Sequence, residues 1–414
     1  MNDVAGPDSP APRALSPEPV APNTREADVV VIGAGFCGAS AAVLLGRAGY
    51  KVVLVDRHAV CPSQFRLEHI AEDQAKALGR VGLLEPIAAG GAFIDHIVNA
   101  RNGRVIDHTY GSDYGLRYED MVQIVREQLP ATVECVFDRV TDVSTGPVLQ
   151  HVALAAQGSI TARLLVLATG MGDMLHEKLG MRRIVTFEKH SIDFGFDLAP
   201  APGRHFPFPA LTYYGETTAD GIDYINIFPF PSTMRANIFT FRSDRDPWVR
   251  DMVRAPKETL LATLPGLARF LGDFQATSPV RIWTMNLSET KGYEQPGVVV
   301  VGDAFQTSSP AAGTGLTRLL TDVERLCLVY APKWLAAGDA GREKIAEFYA
   351  DAEKMAMDRM AIARAHHRRR LTLDNGLEWT ARRRLHYLRR GLAGWMSAAG
   401  DAQGRGLDRP TPVH

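Results

Sequence analysis

Long apolar runs are missing from this 414-residue chain. None approaches the roughly 18 residues that a membrane-crossing helix needs. The N-terminus also lacks the apolar stretch of about 7–15 residues that marks a secretion signal. Cysteine is scarce: Cys37, Cys61, Cys135 and Cys327 lie far apart and form no C-x-x-C pair. That excludes a close-set zinc site or a dithiol redox pair, so no metal is expected, and it fits a reduced, cytoplasmic setting. Charge of either sign is not in excess, since 46 Lys and Arg offset 47 Asp and Glu to a net −1. No global field then draws the chain to nucleic acid or to a membrane. Internal repeats are absent as well.

What is present is ordinary globular material, 46% hydrophobic and 22% charged. The length exceeds what one core usually holds, so two domains are expected. Residues 1–26 are rich in Pro, Ala and Ser and read as a disordered leader, with order beginning at Ala27. The run ADVVVIGAGFCGASAAVLLGRAGYKVVLVD then reads strand, glycine turn, helix, strand, with Gly49 ending the helix. Residues 64–84 look helical, RNGRVIDHTYG looks like a hairpin, and residues 118–129 read as a helix. Strands are expected near 133–142, at 148–154 and at ARLLVLATG. Residues 183–285 are rich in Phe, Tyr, Trp and Pro, and their alternation suggests antiparallel strands. From 331 to 396 the pattern is helical, with a break near 374–376.

Gly33-Ala-Gly35-Phe36-Cys37-Gly38 follows the first strand and opens a helix. Gly33 permits a tight turn, Gly35 lets the backbone approach a pyrophosphate, and Gly38 lets helix and strand pack closely. The helix N-terminus offers free N–H groups and a positive dipole end to phosphate. Asp56, followed by Arg57, closes the second strand 23 positions after Gly33, which suits a hydrogen bond to an adenosine ribose. Strand, turn, helix and acidic end together point to a dinucleotide. They do not separate NAD from FAD.

A second motif stands more than 260 residues downstream: VVVVGDA with Gly302 and Asp303, then Pro310, Gly313, Thr314 and Gly315, then Asp322. A buried strand here delivers Asp303 to its C-terminal end, where ligands sit in α/β sheets. The pattern resembles the G-D-A…P-x-x-G-x-G…D motif of class A flavoprotein monooxygenases, the para-hydroxybenzoate hydroxylase-like family with a glutathione-reductase-type FAD fold. That resemblance implies that Asp303 binds the ribityl chain of FAD. It also implies that the helix opened by Gly313 and Gly315 faces the pyrimidine edge of the flavin, where its N-terminus favours negative charge. Leu167-Ala-Thr-Gly170 resembles a strand end that lies over the cofactor in this fold, and Arg66 sits where the family places an arginine near the pyrophosphate. The chain departs from the family at Thr169, Asp173 and His176, which stand where the family carries Asp, Ser and Arg, and Phe305-Gln306 follows Ala304 in place of Ala-His. It therefore reads as a divergent branch.

The expected fold class is α/β. A Rossmann-type FAD-binding domain, a parallel sheet with helices, takes residues 27–85, 110–182 and 286–333. It is interleaved with a mixed or antiparallel β-sheet substrate domain at 86–109 and 183–285. C-terminal helices at 334–400 and a flexible tail at 401–414 complete the chain. The resemblance implies transient reduction by NAD(P)H, reaction with O2, and oxygenation of a small apolar or aromatic substrate, in secondary metabolism. Only one full dinucleotide fingerprint is present, so a second nucleotide is not expected to be held stably. An FAD-dependent dehydrogenase or reductase of a lipid-like substrate would share both motifs. A flavin-dependent halogenase would carry W-x-W-x-I-P, whereas RIWTMNL has one tryptophan. A non-catalytic flavin-binding protein is the remaining alternative. No catalytic residue is assigned; His205, Tyr213, Tyr214, Tyr224 and Arg235 are candidates on the aromatic strands.

Arginines crowd the C-terminal region at 368–370, 382–384 and 389–390, and Leu385, Leu388, Leu392 and Trp395 recur at helical spacing. Three readings fit: a peripheral membrane contact, docking to an acidic carrier protein, or packing on the FAD domain.

Overall fold

The computed structural model describes residues 24–66 and 68–404, with side chains to residue 392. Two sheets organise it. In the first, the strand order is Val133–Phe137, Val52–Asp56, Thr24–Ile32, Ser159–Leu167, Gln150–Leu154, Val140–Ser144. The first four strands are parallel, the arrangement that helical crossovers impose. Ser159–Leu167 changes partner along its length. Its first half pairs antiparallel with Gln150–Leu154, and its second half pairs parallel with Val298–Val300. The chain thereby sets the end of Val298–Val300 beside the ends of Thr24–Ile32 and Ser159–Leu167. Both faces are covered, so Val29, Val30, Val31, Val53, Leu165 and Val299 are fully buried.

The second sheet has nine strands in mixed order. Its spine is the 19-residue strand Arg182–Pro200, paired on one side with Met234–Thr240 and on the other with Arg281–Lys291 and Phe274–Ala276. Ile222–Pro229, Leu211–Tyr214, the hairpin Ala92–Arg101/Arg104–Gly115 and His69–Ile70 follow outward. One face covers a core of Phe194, Phe196, Ile225, Ile238 and Leu264. The other faces the first sheet and carries polar residues among its aromatics.

Helices close the remaining sides. Ala352–Leu373 sends buried Lys354 to Asp322 at 2.8 Å and Asp358 at 2.9 Å. It also sends Arg368 to buried Asp223 at 2.7 Å. The break expected near 374–376 separates it from Leu377–Gly404. Among the described residues no helix is long and apolar enough to cross a membrane, and none of the four cysteines is in a disulfide.

The fold departs from the expectations at five places. Thr24, Arg25 and Glu26, expected within the leader, belong to the first strand: they pair with Ser159–Thr161, and Arg25 binds Glu134 and the Gln157 carbonyl. The rest of the expected leader, 1–23, lies outside the described residues. Residues 64–84 are not one helix: His69–Ile70 is a strand against Tyr114 and Gly115, and only Glu72–Arg80 is helical. The extended path frees Arg66 and Glu68 to reach partners far along the chain. Strand Arg104–Gly115 runs past residue 110, and Arg281–Lys291 runs past residue 286, so both segments end inside the second sheet. The last helix extends to Gly404, beyond the expected start of the tail at 401; residues 405–414 lie outside the described residues.

The leucine stripe of the last helix does not pack either. Leu385, Leu388 and Leu392 are exposed, and the helix docks through arginine and tyrosine instead. Arg390 forks onto Asp107 at 2.7 and 2.9 Å, and Arg101 stacks over Tyr387. A two-point arginine contact is directional where leucine burial is not, and it sets the face that the helix presents. The Trp395 side chain lies outside the described ones.

Lys354 is 1% exposed between two carboxylates. Lys354→Met should leave Asp322 and Asp358 with only the more distant Arg318, at 3.7 and 3.8 Å, and cost about 3 kcal/mol of stability, read as a lower denaturant midpoint at unchanged slope. A loss below about 1 kcal/mol would mean that the pair is not buried as described.

Candidate cofactor and substrate site

The C-terminal ends of Thr24–Ile32 and Ser159–Leu167 and the turn after Val298–Val300 open on one cavity of about 700 Å3, within the usual size of a ligand cleft. All the expected cofactor residues line it except Gly38 and Thr314, which lie behind its wall: Gly33, Gly35, Phe36, Cys37, Asp56 and Arg57 at one end, Arg66 and Gly170 between, Gly302, Asp303, Pro310, Gly313 and Gly315 at the other.

The first glycine turn is built as the motif requires. Gly33 has φ +101°, and a Cβ there would sit 2.4 Å from the Ala168 carbonyl oxygen. At Gly38 a Cβ would lie 1.8 Å from the Gly33 oxygen, so helix and turn can touch only without one. Helix Phe36–Arg47 has no capping side chain and no acidic residue in its first turn. Its N-terminal N–H groups and positive dipole end are therefore left for an anion. Asp56 holds the turn, accepting from Ala34 N at 2.7 Å and His58 N at 2.8 Å. Arg126 clamps the same loop through the carbonyls of Ala34 and Ala59. Tyr118 hydroxyl accepts from Phe36 N at 3.3 Å, and burial pushes its phenol up to about 12.

The second motif touches the first. Gly302 has φ +61°, and a Cβ on it would meet Cys37 Sγ at 3.0 Å. Gly302 N donates to buried Asp322 at 2.9 Å. Asp303 lies between Arg66 and Arg318, each at 3.2 Å, and Arg66 stacks over Trp283 at 4.6 Å. Gly313 takes a left-handed conformation, with its carbonyl held by Gln74. Helix Gly315–Arg325 then begins with no capping side chain and no acid in its first turn. Buried Thr314 Oγ1 and Arg66 Nε have no protein partner. Two uncapped helix ends, glycine cradles and the unpartnered Arg66 Nε along one cavity fit a long anionic dinucleotide.

The substitutions in the Gly170 loop have a structural counterpart that the sequence reading missed. Arg183, from the long strand, binds Asp173 at 2.7 Å, the Asp303 carbonyl at 2.8 Å and the Gly170 carbonyl at 3.0 Å. It staples two cavity loops. His176 is buried against the Ala304 carbonyl at 2.9 Å, and burial lowers its pKa. Neither residue's role could be seen locally, because Arg183 reaches Asp303 120 residues away and His176 reaches Ala304 128 residues away.

Of the aromatic-strand candidates, only Tyr224 lines the cavity; its hydroxyl donates to the Ala311 carbonyl at 3.2 Å. Arg235 is buried behind the wall, bound to Glu68 at 2.8 and 3.0 Å and to Asp197 at 3.1 Å. Burial pushes Glu68 up against the pull of that arginine. Tyr213 is tied to Glu216, Tyr214 to Arg390, and His205 is exposed. The sequence reading took Asn226 only as part of a strand alternation and assigned no role to Asp193, Asn237 or Trp283, and all four line the cavity. A signal existed for Asp193, a carboxyl set in an otherwise apolar aromatic run. No group of three or more His, Cys, Asp or Glu among the described residues could hold a metal.

Comparison with known proteins agrees with this geometry. Residues 26–361 match the FAD binding domain family FAD_binding_3, and the chain belongs to that family. Aklavinone 12-hydroxylase DnrF of Streptomyces peucetius is 24% identical over 384 residues, 81% of this chain and 73% of that protein. The fold matches p-nitrophenol 4-monooxygenase PnpA from Pseudomonas putida DLL-E4 with TM-score 0.71 at 18% identity, over 90% of this chain and 94% of that one. It matches the flavin-dependent brominase Bmp2 with TM-score 0.63 at 16% identity, over 78% and 83%.

In the first glycine turn, Gly35 is the one whose Cβ would meet no backbone within 4 Å, its nearest neighbour being Tyr118 hydroxyl at 3.2 Å. Gly35→Val should fold, with the far-UV spectrum unchanged. It should weaken FAD binding by at least about tenfold, or about 1.4 kcal/mol, in a flavin fluorescence titration. Undiminished affinity would mean that the pyrophosphate does not approach this turn.

Proposed function

We propose that this protein is an NAD(P)H-dependent FAD monooxygenase that oxygenates a small aromatic or apolar molecule. The observation that carries the reading is the meeting of both glycine motifs along one cavity that continues onto an aromatic-walled sheet face. The hydroxylase and monooxygenase relatives support it. When bound, FAD supplies the redox chemistry, accepting electrons from a nicotinamide and passing them to O2.

In this reading the protein binds and orients. The N–H groups of Phe36–Arg47 hold the pyrophosphate, and Asp56 takes the adenosine ribose. Asp303, kept in place by Arg66 and Arg318, takes the ribityl chain. The uncapped N-terminus of Gly315–Arg325 would favour negative charge on the flavin. Trp283, Phe239, Met285 and Tyr224 exclude water from the substrate end. The residues of the Gly170 loop and Arg57 complete the cofactor contacts. Residues 27–85, 110–182 and 286–333, apart from their second-sheet strands at 69–70, 110–115 and 286–291, act as the FAD-binding part, with the second sheet supplying the substrate wall.

A single nucleotide fingerprint supports a nicotinamide that binds, reduces and leaves. Four free cysteines support a reduced, cytoplasmic compartment. Docking to an acidic carrier protein or a membrane has less support, because Arg368 and Arg390 are committed to Asp223 and Asp107.

Purified protein should be yellow and should oxidise NADPH or NADH in air, faster with an aromatic substrate, with one oxygen atom recovered in product from labelled O2. Turnover at the same rate without O2 would replace this reading with a dehydrogenase. Brominated product in the presence of bromide would replace it with a halogenase.

A further inference from the structure

The register of the second sheet stacks its cavity face in rows. Tyr224 pairs with Phe239, Phe239 with Asp193, and Asp193 with Trp283. The next row sets Asn226 opposite Asn237 and Asn237 opposite Gly195. An aromatic row is thus interrupted by one carboxyl, with an asparagine diagonally beside it, at the separation cross-strand neighbours have. Gly195 leaves no room for a side chain there, since a Cβ would meet the Phe65 ring at 2.4 Å.

Asp193 is 1% exposed and lines the cavity, with Ser191 Oγ donating to its Oδ2 at 3.2 Å. Its Oδ1 has no partner. Asn237, 5% exposed and also lining the cavity, has an unpartnered Oδ1. Two buried oxygens left without donors between aromatic rings are costly in an empty site, and a ligand that donates to them recovers that cost.

We propose that Asp193 and Asn237 form a hydrogen-bond-accepting pair that selects an uncharged aromatic ligand bearing an O–H or ring N–H donor, its ring lying among Trp283, Phe239 and Tyr224. The pair discriminates against aryl carboxylates, which bring only further acceptors. Burial between the rings holds the Asp193 carboxyl well above the usual carboxylate range, and nearby Asp223 adds to the shift; a proton on Oδ2 is taken up by Ser191 Oγ at 3.2 Å, so Oδ1 faces the ligand as an acceptor. Arg368 is engaged with Asp223. Arg66, stacked over Trp283, is engaged with Asp303, and Arg364 lies exposed at the cavity edge on helix Ala352–Leu373. The assignment rests on the cavity being the substrate chamber beside FAD.

The test uses FAD-loaded protein without NAD(P)H and three probes of one ring size: 2-naphthol, naphthalene and 2-naphthoate. Equilibrium dialysis should give 2-naphthol an affinity roughly tenfold above naphthalene, the size of one buried hydrogen bond, and a larger margin over 2-naphthoate. Asp193→Leu should abolish the preference over naphthalene while naphthalene binds at least as well as before. Asn237→Leu should reduce the preference on its own. Tight binding of 2-naphthoate, which Arg364 would favour, or an unchanged preference in either variant overturns the pair. Flavin content is read on the same samples. A wrong FAD reading appears as absent flavin, and a wrong pair as intact flavin with no preference.

Discussion

Asp322 has no solvent to lean on. One of its oxygens accepts the Gly302 N–H at 2.9 Å, and the other is held by Lys354 at 2.8 Å. Asp322, Arg318, Asp303 and Arg66, with Lys354 and Asp358, alternate charges from the interior to the cavity wall. Buried ions survive only in such company, because each unpaired one carries a desolvation cost of several kcal/mol. The arrangement fixes where Gly302 turns, where Asp303 projects and how the C-terminal helix seats. With Gly302 fixed, the lack of a Cβ lets Cys37 approach, and the two ends of the site meet.

The two sheets then divide the chemistry. The first ends its parallel strands at backbone turns, so it presents N–H groups and helix dipoles suited to phosphate. The second presents side chains in register, so its rows mix rings with a few polar groups suited to an organic ligand. Arg183 joins the two, rooted in the second sheet and bonded to the Gly170 and Asp303 carbonyls of the first. An arginine serves here because its fork can reach two carbonyls and a carboxylate at once.

The glycine turn was legible in the sequence because a single stretch carries strand, turn, helix and acid, and each glycine has a local steric reason. The second motif was legible for the same reason. Residues 64–84 were misread because charges at helical spacing look alike whether they face solvent or reach across the molecule; here Arg66 and Glu68 pair with Asp303 and Arg235. The leucine stripe near the C-terminus left three readings open, because amphipathicity does not say what a face meets; Leu385, Leu388 and Leu392 are exposed, and Arg390 and Tyr387 dock the helix. Asp193 and Asn237 escaped notice because their meaning depends on register across three strands, which no local pattern records.

The central claim is that one FAD spans both glycine motifs. Titration of flavin-free protein with FAD, with FMN and with ADP tests it most directly, because the latter two each offer one end of the cofactor. The account predicts one FAD per chain, bound at least about a hundredfold, or about 2.7 kcal/mol, more tightly than either FMN or ADP. FMN binding as tightly as FAD would contradict it, leaving the Gly33–Gly38 turn without a role.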